Sequence, residues 1–334
     1  MTDIGSRARL AVTLGDPAGI GPEVLLGALV DSAAFAALTP EHGTLEIHGS
    51  RAILARVARE RGLAPAWLDG GDPRITVIEG PPVDGDLARG APSALAGRLA
   101  FAYLERAVDR LVRGEADALV TLPVNKHAWS LAGVPWTDHT GYLAHRAGAV
   151  PVMAFDSPRI RLALATIHLP LRGVAGALTA AGIVRVARAL DRSLREDHGI
   201  ARPRLAILGL NPHAGEDGLL GDEDHAVVAP AISELVRAGV DAYGPLPPDT
   251  AFIPPRLAGF DGWVAMYHDQ GLAPFKALAF HDSCQVTLGL PWVRTSVDHG
   301  TAFDLVGTGR ASPASFVRAL GLAARLAVAR RARR

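Results

Sequence analysis

Three histidines, His168, His213 and His268, sit at or just beyond the ends of the apolar runs IRLALATI, RLAILGL and GWVAMY. In a sheet of buried parallel strands, residues just past the carboxyl ends collect along one edge, where ligands bind. Three imidazoles gathered there can hold a divalent cation and leave coordination positions open for water or substrate. They are separated by 45 and then 55 residues, so no local motif specifies a metal. A histidine after a strand serves equally as a hydrogen-bonded loop residue. Asp249 and Asp269 could add a carboxylate oxygen or accept a proton, and either could instead be an ordinary loop or cap aspartate. Arg294, in GLPWVRTS, offers a planar fork for a phosphate or carboxylate. Of 34 basic residues only Lys126 and Lys276 are lysine. In so arginine-rich a chain, a retained lysine marks a place where a compact ammonium is needed, or a chance survivor on the surface.

Two glycine-rich stretches also follow or adjoin apolar runs. GDPAGIGPE (15–23) resembles a phosphate loop but fits neither the dinucleotide fingerprint nor the Walker pattern. VDHGTAFDLVGTGRAS (297–312) has the polarity of a ligand-facing loop without specifying the ligand.

The elements that must position these residues are legible as short runs rich in Val, Ile and Leu at 10–14, 44–49, 74–79, 116–122, 150–155, 160–167, 204–210 and 262–268. They show little alternation, as expected of strands buried on both faces. Helical periodicity runs through 93–113, 183–195 and 224–238, and Ser312-Pro313 opens a last helix. Strand–helix alternation over this length predicts an α/β protein with helices on both faces of its sheets. At 334 residues there is chain for roughly two domains. No linker is visible, so the domains are expected to be discontinuous or tightly joined.

Lys+Arg and Asp+Glu are balanced at 34 each, giving no field to steer the chain toward nucleic acid. A single cysteine, Cys284, excludes a disulfide framework and a cysteine-rich zinc module. The start, MTDIGSRARLAV, shows no apolar signal core, and no apolar run reaches the ~20 residues of a membrane span. A soluble cytoplasmic protein is the expectation.

Taken in order, GDPAGIGPE, TLPVNK, DHTGYLA, HLPL, GLNPHAGEDGLLGDE, PPDTAF, MYHDQGLAPFK, TLGLPWVRTS and DHGTAFDL span nearly the whole chain. Together they resemble the 4-hydroxythreonine-4-phosphate dehydrogenase family of vitamin B6 biosynthesis. The resemblance implies two α/β/α domains with a central cleft, similar to isocitrate and isopropylmalate dehydrogenases. The first domain is expected at 1–125 plus about 295–334, and the second at about 126–294. The resemblance further implies a homodimer with the active site at its interface. One divalent metal (zinc, magnesium or cobalt) would lie on His168, His213 and His268, and substrate on His139, Thr140, Lys276, Gln285 and Arg294. NAD or NADP would oxidise the C3 hydroxyl of 4-phosphooxy-L-threonine, and the product would lose CO2. The resemblance identifies no cofactor-binding residues.

The chain departs from the family pattern at 138–141, at 285 and in the stretch FHDSCQ (280–285), where a glycine-containing segment is usual. It reads Asp138-His139-Thr140-Gly141 where the family reads Gly-His-Thr-Glu, and Gln285 stands where Asn is usual. A related dehydrogenase acting on 4-phospho-threonate, 4-phospho-erythronate or a cyclic diol acid is therefore an alternative. A non-catalytic metal- or ligand-binding protein is a more distant one.

Overall fold

All eight apolar runs form strands, because β-branched and leucine side chains without polar alternation are stable only where both faces are covered. A computed structural model describes residues 8–30, 35, 43–280 and 282–333, so residues 1–7, part of the start read above for a signal core, lie outside it. The strands are β1 (Arg9–Thr13), β2 (Thr44–Gly49), β3 (Ile75–Glu79), β4 (Ala118–Thr121), β5 (Val152–Asp156), β6 (Arg161–Leu164), β7 (Arg204–Leu208), β8 (Asp241–Leu246), β9 (Gly262–Ala265), β10 (Cys284–Leu288) and β11 (Val293–Ser296). β8, β10 and β11 were not expected from the apolar pattern. Among the described residues, no single helix is long and apolar enough to cross a membrane.

The chain divides into two compact units, Met1–Pro151 with Leu290–Arg334, and Val152–Gly289. The stretch 126–151, assigned above to the second domain, packs in the first unit. Its Trp129, Tyr142 and Leu143 are buried against Leu104, Val108 and Leu111 of the helix Ala94–Val112. Leu290 and Trp292 join the same cluster, which moves the second crossing from about 294 to 289.

In the first unit the strand order is β3-β2-β1-β4-β11, all parallel. The helix Ala94–Val112 starts where expected because the Ser93 hydroxyl accepts from the Ala96 amide at 3.1 Å. In the second unit the order is β10-β5-β6-β9-β7-β8. β5 runs antiparallel to β10 and β6, whereas β6, β9, β7 and β8 are mutually parallel. The carboxyl ends of β6, β9 and β7 therefore point to one edge. Beneath them Leu162, Leu164, Ala206, Leu208, Trp263 and Phe275 form a buried core that fixes the strand ends.

Candidate active site

In the second unit the three histidines follow three neighbouring parallel strands, and the strand order decides which of them meet. His168 and His268 follow the adjacent strands β6 and β9, and their rings stand 5.7 Å apart at a 42° tilt. The Nδ1 of His268 lies 2.7 Å from Asp269 Oδ1, a contact that orients the ring and leaves Nε2 to face a ligand. Both histidines line a cavity of about 370 Å³ with an aliphatic wall of Leu169, Leu171 and Val174. His213 follows β7 and lines a second cavity of about 300 Å³ with Asp249, Asn211 and Gln270. Tyr267 borders both cavities.

Two of these histidines occupy backbone conformations that side chains other than glycine seldom adopt: φ is 46° at His168 and 53° at His213. His213 begins a left-handed run through Asp217. Such conformations cost of order 1–3 kcal/mol each and persist where surrounding structure over-determines them, commonly at functional sites. Here Asp224 supplies part of that constraint. Its buried carboxylate accepts from the Leu210 and Asn211 amides at 2.7 and 2.9 Å. Gly209 is required beside it, since a Cβ there would stand 2.8 Å from Ala214 Cα and 3.0 Å from Asp224 Oδ1.

The donor set suits a borderline divalent cation at two positions, His168 and His268. Among the described residues, no three His, Cys, Asp or Glu side chains stand close enough together to share one ion. His168 and His268 stand together at one cavity, and His213 lines the neighbouring one. Of the two carboxylates singled out, Asp269 is engaged by His268, and Asp249 is exposed at the cavity beside His213. Lys276 lies in the last turn of the helix His268–Ala279, its Nζ 5.5 Å from the Phe280 ring centre. Gln285 is on β10, in register with Phe155.

The first unit gathers positive charge. Arg294 is buried on β11, and its Nη2 donates to Thr121 Oγ1 at 2.7 Å. Burial lowers the guanidinium to about 10 despite the opposing charge of Asp138. His139 is held well below the usual imidazole range, first by burial and then by the charges of Arg294 and Lys126. A neutral imidazole beside two permanent cations makes a site for an anion that can also accept or donate a neutral hydrogen bond. Thr140 follows His139 in the first turn of the helix His139–Ala147. The departure at 138–141 has a local explanation: Asp138 caps this helix, accepting from the Gly141 amide at 2.9 Å.

One residue of this unit was missed by the sequence reading. Asp16 sits in the GDPAGIGPE turn, where Gly15 adopts φ +69° and a Cβ would lie 2.4 Å from Pro123 O. Burial lifts the Asp16 carboxyl from 3.8 to about 6, with the Ala18 and Asn125 amides opposing the shift. The folded state therefore holds this proton more tightly than the unfolded chain, and stability falls as pH rises from about 4 through 6. Asp16→Asn is expected to stabilise the protein by about 2–3 kcal/mol at pH 8 and by little at pH 4, measured by urea denaturation. An equal change at both pH values would contradict this.

The first unit thus presents a buried guanidinium beside a neutral histidine, and the second presents imidazoles at its strand ends. The chain belongs to the family of the pyridoxal phosphate biosynthetic protein PdxA, whose model matches residues 37–323. It is 45% identical over 328 residues to the 4-hydroxythreonine-4-phosphate dehydrogenase of Burkholderia vietnamiensis, covering 97% of this chain and 98% of that protein. The crystal structure of the 4-hydroxythreonine-4-phosphate dehydrogenase of Klebsiella pneumoniae superposes with a TM-score of 0.84 at 38% identity, covering 96% of this chain and 99% of the other. A terephthalate 1,2-cis-dihydrodiol dehydrogenase from Burkholderia xenovorans is more distant, with a TM-score of 0.65 and 28% identity over 93% of this chain and 96% of that one. The chain is accordingly an oxidoreductase of the 4-hydroxythreonine-4-phosphate dehydrogenase family.

Proposed function

We propose that this chain oxidises the C3 hydroxyl of 4-phosphooxy-L-threonine with NAD or NADP as acceptor. The product, 2-amino-3-oxo-4-phosphooxybutanoate, loses CO2 to give 3-amino-2-oxopropyl phosphate. The observation that carries this reading is the adjacent His168 and His268 pair, one ring oriented by a carboxylate, at the ends of parallel strands.

His168 and His268 would hold a divalent cation of the zinc, magnesium or cobalt type, with His213 as the third ligand. When bound, such a cation polarises an alcohol oxygen and stabilises developing negative charge. Neutral imidazoles leave its charge undiminished, and Asp269 keeps the His268 ring in one orientation. Asp249, exposed at the cavity beside His213, or Asp269 would accept the hydroxyl proton. Arg294 and Lys276 would grip the phosphate, one as a fork and one as a point charge, while His139, Thr140 and Gln285 complete the substrate contacts. The nicotinamide takes the hydride, and the protein supplies placement and electrostatics. The functional form in this reading is a cytoplasmic homodimer with its active site at the interface.

The buried Arg294 favours a phosphorylated substrate over a cyclic diol acid. Gln285, one methylene longer than the usual Asn, favours as second reading a neighbouring phosphorylated hydroxy acid such as 4-phospho-threonate or 4-phospho-erythronate. A panel of these compounds assayed for NADH or NADPH formation separates the readings. Highest kcat/KM on 4-phosphooxy-L-threonine is expected, and preference for another member would move the assignment. Lys276→Arg keeps the charge but replaces a compact ammonium with a plane. It is expected to lower kcat/KM about tenfold or more, and wild-type kinetics would remove Lys276 from the phosphate site.

A further inference from the structure

The parallel ladder between β9 and β7 ends with Ile207 opposite Val264. Beyond that point a side chain continues it. Gln270 Oε1 accepts from the Met266 amide at 2.7 Å, and Gln270 Nε2 donates to the Gly209 carbonyl at 2.7 Å. The side-chain amide thus stands in for a missing backbone rung between the chain leaving β9 and the chain leaving β7. On the other side, the Met266 carbonyl accepts from Thr166 Oγ1 at 2.7 Å and from the Thr166 amide at 3.2 Å. Past Gly209, the Asp224 carboxylate captures the next two amides, Leu210 and Asn211.

This bond chain crosses all three segments that carry the strand-end histidines. Thr166 is two residues before His168, Met266 two before His268, and Gly209 four before His213. We propose that Gln270 is a positioning residue that sets the separation of these three segments and thereby the assembly of a metal site from His168, His213 and His268. The proposal rests on the metal reading above. The neutral Gln270 amide accepts from one backbone group and donates to another at once. An ionised carboxylate of the same shape keeps the Met266 contact, cannot donate to Gly209, and sets negative charge against its carbonyl. Because Gln270 also borders the His213 cavity, the test uses the cation alone, with no substrate to which Gln270 could bind directly.

The experiment is titration of the full chain with cobalt(II), followed by calorimetry and by the visible absorption of the bound ion. Gln270→Glu is expected to bind cobalt about tenfold more weakly than wild type, with an altered absorption band, as for other outer residues that orient metal ligands. Ser193→Ala is the control for general loss of stability. It deletes a buried 2.7 Å bond to Asp197 elsewhere in the same unit, and should lower Tm without changing cobalt affinity. Should Gln270→Glu not fold, Gln270→Met, which keeps the length and loses both hydrogen bonds without adding charge, is read in the same way. Cobalt affinity and spectrum equal to wild type in the Gln270 variant would overturn the positioning role alone. Equal weakening by Ser193→Ala would reduce it to general stability. Failure of the wild-type chain to bind cobalt would overturn the metal reading and this proposal together.

Discussion

Replacing His268 with alanine is expected to lower kcat/KM by about 10³-fold or more and to strip bound metal from the purified protein. The ring is the centre of the strand-end cluster: it lies between the segments that follow β6 and β7, packs 5.7 Å from His168, and is oriented by Asp269. A Lewis acid at a developing alkoxide is worth several kcal/mol of transition-state stabilisation, and each 1.36 kcal/mol is tenfold in rate. The His268 side chain is 38% exposed, so its loss should cost little folding energy and Tm should barely move. Metal content, turnover and Tm measured on one preparation check all three expectations. Full activity of a chelator-treated variant would remove the cation from the mechanism.

Arg294→Ala should cost about 10³-fold in kcat/KM on phosphorylated substrates and far less on their unphosphorylated analogues. A guanidinium already stripped of water does not pay that desolvation again when an anion arrives. Two charge-assisted hydrogen bonds of about 1.5–3 kcal/mol each account for a loss of this size. The lost donor to Thr121 Oγ1 also perturbs β4, so Tm must be followed alongside kinetics. Equal losses on both substrate classes would show that Arg294 holds the strand and not the phosphate.

Much of this architecture is written in simple patterns. Unbroken apolar runs marked β1 to β7 and β9, and Ser93 marked the start of a long helix. β11 escaped because Arg294, Thr295 and Ser296 are polar yet buried. Their burial is made possible by bonds to Thr121 and to the Ala319 carbonyl, partners 24 to 175 residues away that no local pattern shows. β8 was hidden by the Gly-Pro inside it. The strand-end rule placed the three histidines on one edge, and the parallel ladders of β6, β9 and β7 do so. Which two rings touch was not readable, because the spatial order β6-β9-β7 differs from the chain order. Gln270, Asp224 and Asp16 passed unnoticed for a related reason. Each acts on backbone groups, and backbone partners leave no residue-type signature.

Diffraction from crystals grown with cobalt(II), using its anomalous signal, bears most directly on the convergence of three strand-end imidazoles on one ion. The expected result is a single strong peak bonded to His168 and to His268 Nε2, with His213 moved from its own cavity to within about 2.1 Å of the ion. A peak elsewhere, or His213 still in its separate cavity beside an occupied pair, would contradict it.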